Sequence, residues 1–178
     1  FDASAAQSMQ KGNSLININA DTNTTPLWGL ASKFRELNVT AKMDWAAFDP
    51  VHVMLSGDYV KNLGFDATEI SQRSGQAAPV SKVTGYQAVL AVGNTRVKQQ
   101  GDWQASVAYK YLERDAVLDA LTDSDFHLGG TNAKGFILGA SYGLDKETNL
   151  GVRWISTDEI DGPPLSIDTL QVDLSMRF

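Results

Sequence analysis

Apolar and polar residues alternate strictly over nine positions in LNVTAKMDW (37–45). Leu37, Val39, Ala41, Met43 and Trp45 fall on one side, with Asn38, Thr40, Lys42 and Asp44 between them. A period of two predicts a strand with one apolar and one polar face. The pattern recurs in VHVMLSGDY (51–59), YQAVLAVG (86–93), WQASVAYKY (103–111), FILGASYGL (136–144), LGVRW (150–154) and LQVDLSMRF (170–178). With a weaker candidate at SLININA (14–20), about eight strands are predicted. Runs of nine exceed the ~5–6 residues usual in globular strands and approach the ~9–11 that a tilted strand needs to cross a bilayer.

The connectors alternate in length. AFDP (47–50), VKQQGD (97–102) and DKETN (145–149) are short and rich in turn residues. Residues 21–34, 61–85 and 113–134 form long ones, and TDEIDGPPLS (157–166) is intermediate. Tight turns at one end and long loops at the other predict an all-β fold, an antiparallel up-and-down transmembrane β-barrel. One domain spans 1–178, least defined over 1–33, and its last strand is expected to close against the first.

The aromatic residues fit that frame. Trp45, Trp103 and Phe178 fall at the short-turn end of the apolar face, and Tyr59, Tyr86, Tyr111 and Phe136 at the long-loop end. Two interfacial girdles are expected, the alternative being cross-strand aromatic pairs of a soluble sheet. The polar positions carry Lys42, Asp44, Asp58, Lys110, Arg153, Asp173 and Arg177. Unpaired charges on a sheet buried on both sides would cost several kcal/mol each. These residues therefore predict either a water-filled lumen or, in a narrow barrel, a paired internal network that fills it.

Composition changes little. Hydrophobic residues make up 43% of the 178, and the mean hydropathy of -0.21 resembles that of a soluble protein. A barrel that shows every second residue to lipid has the same average. The longest apolar run, AVLAV (88–92), is far short of the ~20 residues of a spanning helix. The absence of cysteine removes disulfides and thiolate metal sites. A net charge of -6 without a basic stripe argues against nucleic-acid binding. The opening FDASAAQS, lacking an initiator Met and a leader, reads as a processed form or a piece of a longer chain.

Few motifs suggest reaction chemistry. GASYG (139–143) matches the G-x-S-x-G nucleophile elbow, yet Ser141 sits inside an alternating run with no helix behind it. Asp119, Asp123 and Asp125 cluster near His127 and could offer oxygen ligands to Ca²⁺, but the spacing fails the EF-hand pattern. Solvated loop acids, or a loop packed into a barrel mouth, is the preferred reading. His52 and His127 lack partners at metal-ligand spacing and are expected to be structural. No enzyme activity, cofactor or metal is expected.

The segments GDWQASVAYKYLERDAVLDALTDSDFHLGGTNAKGF (101–136), STDEIDGPPLSIDTLQVDL (156–174) and the final RF resemble the C-terminal region of a bacterial putative porin family. PVHVMLSGDYVKNLGFD (50–66) is similar to the same family further upstream, so the resemblance covers about 34–178. It implies a Gram-negative outer-membrane protein. It also implies that the terminal strand, with Leu170, Val172, Leu174, Met176 and Phe178, serves as the address read by the barrel-assembly machinery. Family members, by the same resemblance, are usually much longer, so this chain is the C-terminal part of a larger barrel or a short relative closing at eight strands. The leading expectation is a porin that passes small hydrophilic solutes, with outer-membrane lipid around it. A plugged eight-stranded anchor or loop scaffold is the second expectation, and a soluble ligand-binding barrel the third.

Overall fold

The computed structural model describes residues 12–19 and 25–177. Phe178, and with it the expected aromatic anchor and tail of the assembly signal, lies outside the described residues. The dominant element is an antiparallel sheet of seven strands in sequence order. These are β3 (Glu36–Phe48), β4 (Val51–Asn62), β5 (Thr84–Gly93), β6 (Trp103–Leu112), β7 (Ala133–Gly143), β8 (Thr148–Glu159) and β9 (Ser166–Met176). Each of the long alternating runs becomes a strand that begins at or before the run, while β7 and β9 end inside theirs, at Gly143 and Met176.

Register keeps the two faces apart. One row across all seven strands reads Met43, Leu55, Leu90, Val107, Leu138, Trp154, Leu170. The neighbouring row on the other face reads Asp44, Met54, Ala91, Ser106, Gly139, Arg153, Gln171. A slip of one residue in any pair would put that strand's apolar set on the polar side, so the alternation itself selects the pairing. The apolar face is open: Leu170 is 67% and Val172 63% exposed. Along β5 to β9 the polar-face side chains are more shielded, as on the inside of a curved sheet.

Two expectations are corrected. The sheet has seven strands, and it does not close among the described residues: β9 pairs with β8 alone and β3 with β4 alone. SLININA does not join it. Only Leu15–Asn17 is extended there (β1), paired with β2 (Trp28–Leu30) in a separate two-stranded sheet. The reason is local: the Asn17 side chain accepts hydrogen bonds from the backbone N–H groups of Asn19 and Leu27, which ends the run after three residues.

The long connectors gather at one end of the sheet. Residues 63–83 hold a helix that alternation could not reveal, α1 (Ala67–Ser74). Asp66 caps it by accepting from the N–H groups of Thr68 and Glu69, and Gly75 closes it in the left-handed conformation at φ 66°. Ile70 of α1 packs with Ile16 and Ala31, which ties the small sheet to the helix. Asn62, at the end of β4, joins these parts. Its Nδ2 donates to Ser32 Oγ, Lys33 O and Asp115 O, and its Oδ1 accepts from the N–H groups of Arg35 and Gly64.

Candidate functional site

The polar face carries its charges in adjoining rows. Lys42 and Asp44 lie on β3, Asp58 on β4, Lys110 on β6, Arg153 on β8 and Asp173 on β9, all on one side of the sheet by register. They do not form one network. Asp44 meets His52 Nδ1 at 2.6 Å, and Asp58 accepts from Thr40. Arg177 lies past the end of β9 at the short-turn end, where its N–H donates to Glu147 O. Of these charges, Lys110 and Arg153 are the two met by a long loop.

That loop is the 113–132 connector, and it folds back onto the polar face. Its anchor is Phe126, 1% exposed, packed on Ala133 and Ile155 with Ile137 beside them. Lys110 Nζ stands 4.6 Å from the centre of the Phe126 ring. His127 and Leu128 both adopt positive φ, 56° and 59°, which bends the chain sharply behind the anchor. The same bend lets His127 Nδ1 reach Thr157 Oγ1 at 2.9 Å. Asp123 and Asp125 face Arg153, with N–O distances of 3.8 and 3.6 Å.

Magnitudes rank these attachments. Burying a phenylalanine is worth about 3–5 kcal/mol by the cost of its truncation. A half-exposed ion pair contributes ~0.2–1 kcal/mol. Phe126 therefore holds the loop, and the two carboxylates tune the charge beside it. Phe126 was not singled out from sequence: a lone Phe in an acidic loop carries no periodicity. The sequence offers Asp123 and Asp125 as oxygen ligands for a cation, and the structure gives them an arginine. Asp119 turns away from both, accepting the N–H of Asn13 at 3.1 Å and the hydroxyl of Thr131 at 2.7 Å. Among the described residues no group of three or more His, Asp and Glu is placed to hold a metal ion. Ser141 lies within β7, opposite Gln104 and Gly151, and the chain beyond it turns directly into β8. The strand-to-helix turn of a nucleophile elbow is absent there.

The base of the loop is locked from far away in sequence. Asn13 and Asp119 exchange hydrogen bonds, Asp119 N–H donating to Asn13 Oδ1 at 2.9 Å. Ser14 N–H donates to Asp115 Oδ1 at 2.9 Å. Asp115 is 0% exposed and its Oδ2 is without a hydrogen-bond partner. Burial pushes the Asp115 carboxyl above the usual range, against the opposing pull of the Ser14 hydrogen bonds. A raised folded-state pKa means that protonation favours the docked loop. The contribution is complete below the ordinary carboxylate pKa of about 4 and is lost as pH rises through the elevated value. Exchange of the Ser14 amide hydrogen should therefore speed up as the pH is raised above the ordinary carboxylate range, beyond the intrinsic chemical trend. In Asp115→Asn that additional increase should vanish.

On the opposite face the aromatic residues fall into two groups. Tyr59, Tyr86 and Tyr111 form one row at the long-loop end, with Tyr109 and Phe136 in the row below. Tyr86 and Tyr111 stack at 5.2 Å, and Tyr109 meets Phe136 at 4.9 Å. Trp45 and Trp103 lie at the short-turn end, beside Phe48 and Tyr142 respectively. Among the described residues no helix is long and apolar enough to cross a membrane.

The sequence profile of the family described as putative porin matches residues 1–178, the whole chain. The chain belongs to the putative porin family. No curated protein and no solved structure matches it. Membership agrees with a sheet that separates an apolar face from a charged one.

Proposed function

We propose that this chain forms part of the wall of an outer-membrane pore through which small hydrophilic solutes diffuse, in the envelope of a Gram-negative bacterium. The observation that carries the reading is the 113–132 loop anchored by Phe126 on the charged face, while the other face stays apolar across seven strands. In this reading the apolar face meets lipid, the aromatic groups mark its two interfaces, and the charged face lines water. Lys42, Asp44, Asp58, Lys110, Arg153 and Asp173 are then lumen residues, and the loop narrows the passage.

The open edges set a further requirement. Unpaired N–H and C=O groups along β3 and β9 are not tolerated in hydrocarbon, so in this reading further strands pair with both. The pore is then larger than this sheet, which favours a conducting lumen over a plugged anchor. A soluble barrel is disfavoured because the apolar face would leave a patch far beyond the few hundred Å² usual for a monomer in water. Leu170, Val172, Leu174 and Met176 on β9 remain candidates for recognition by the assembly machinery. The native protein that contains this chain, reconstituted into planar bilayers, should give discrete conductance steps. Folded, inserted protein that gives none would overturn the pore reading.

A further inference from the structure

Below the docked loop, the polar face forms a trough of about 310 Å³ between β6, β7, β8 and β9. Ser106, Gly139, Ser141, Gly151, Arg153 and Asp173 are among its lining residues. Its floor exists because two positions lack side chains. A methyl at Gly139 would sit 2.7 Å from Ser106 Oγ, and one at Gly151 would lie 3.8 Å from Asp173 Cβ, inside the trough.

The two charges in the trough leave each other unsatisfied. Asp173 stands opposite Gly151 and Arg153 opposite Gln171, so they are diagonal neighbours on adjacent strands. Such positions are ~7–8 Å apart. No ion pair joins them within 4 Å, and Asp173 has no other ionic partner among the described residues. Arg153 touches Asp123 and Asp125 only at 3.8 and 3.6 Å, too far for hydrogen bonds, so its donor fork remains available.

From this juxtaposition we infer that the trough is a transient binding step for small α-amino acids, taking the carboxylate on Arg153 and the ammonium on Asp173. A zwitterion whose two charges are joined through one carbon offers one charge to each of these side chains. The Ser106 and Ser141 hydroxyls supply further polar contacts along the floor. Asp123 and Asp125 sharpen the choice, since they repel a carboxylate that brings no ammonium with it.

The inference rests on the pore reading and is separable from it. Glycine and glycolamide are isomers, one zwitterionic and one uncharged, so diffusion through a featureless pore passes them at similar rates. In liposomes containing the native protein, osmotic swelling should be about threefold faster with glycine, the scale that one exposed ion pair supplies. Asp173→Asn should bring the glycine-to-glycolamide ratio to about one, and Arg153→Gln should do the same. Equal swelling with the two solutes in the unaltered protein, or a ratio that survives Asp173→Asn, overturns the amino-acid step and leaves the pore standing. Entry of neither solute, with no conductance, overturns both.

Discussion

Phe126→Ala is expected to free the 113–132 loop and to raise single-channel conductance. The side chain is 1% exposed, and it is the contact that seats the loop on Ala133 and Ile155. Its truncation should cost about 3–5 kcal/mol of docking energy. The other contacts of the loop tip do not make that up, while the base stays held at Asp115 and Asp119. The His127–Thr157 hydrogen bond contributes ~1 kcal/mol, and the two long pairs to Arg153 add little in half-exposed surroundings. Protease accessibility of residues 119–128 should rise in parallel with conductance. Phe126→Leu, which keeps most of the apolar volume, should stay close to the unaltered protein in both measurements. An alanine variant with unchanged conductance would remove the loop from the list of features that limit passage.

Gly135→Ala should have the largest effect on assembly. Gly135 lies opposite Thr157 on the polar face, where a methyl would stand 2.1 Å from Ser156 O and 2.8 Å from Thr157 Cα. Both neighbours are backbone, so no side chain can turn aside to relieve the clash. The β7–β8 ladder would have to part, at a cost beyond the ~1–3 kcal/mol of ordinary overpacking. The measurement is the heat-dependent shift in gel mobility that distinguishes a folded barrel from its unfolded chain. The folded band should be nearly lost in Gly135→Ala. Gly57→Ala is the control, because its nearest neighbour, Gln87 O, would be 3.9 Å away and the substitution should assemble normally.

The contrast between those two glycines shows what could and could not be read from the chain. Leu37, Val39, Met43 and Trp45 predicted both a strand and its apolar side, because alternation is a property of consecutive residues. The same logic put Lys42, Asp44, Asp58, Lys110, Arg153 and Asp173 on one face, as the register places them. Closure was not legible in this way. It depends on how many strands share the sheet, and SLININA looked extended while Asn17 was positioned to end the run. The loop was legible only in outline. Its length and acidity suggested packing into a mouth, but Phe126, Asn13 and Asp115 act through contacts with residues far away in sequence. Helix α1 did leave a local sign that alternation ignores: Asp66 and Glu69 sit three apart, and Gly75 follows the last turn.

The bond between Asn13 and Asp119 also has a bearing on the order of events during folding. Every neighbouring pair in the seven-stranded sheet is consecutive in the chain, so the wall can grow as a series of hairpins, each closing a short stretch. The Asn13–Asp119 contact spans 106 residues, and chain entropy opposes it until the intervening strands have drawn its ends together. The sheet thus forms before the base of the loop is locked to residue 13, and in the proposed pore a newly made wall stands before that lock closes.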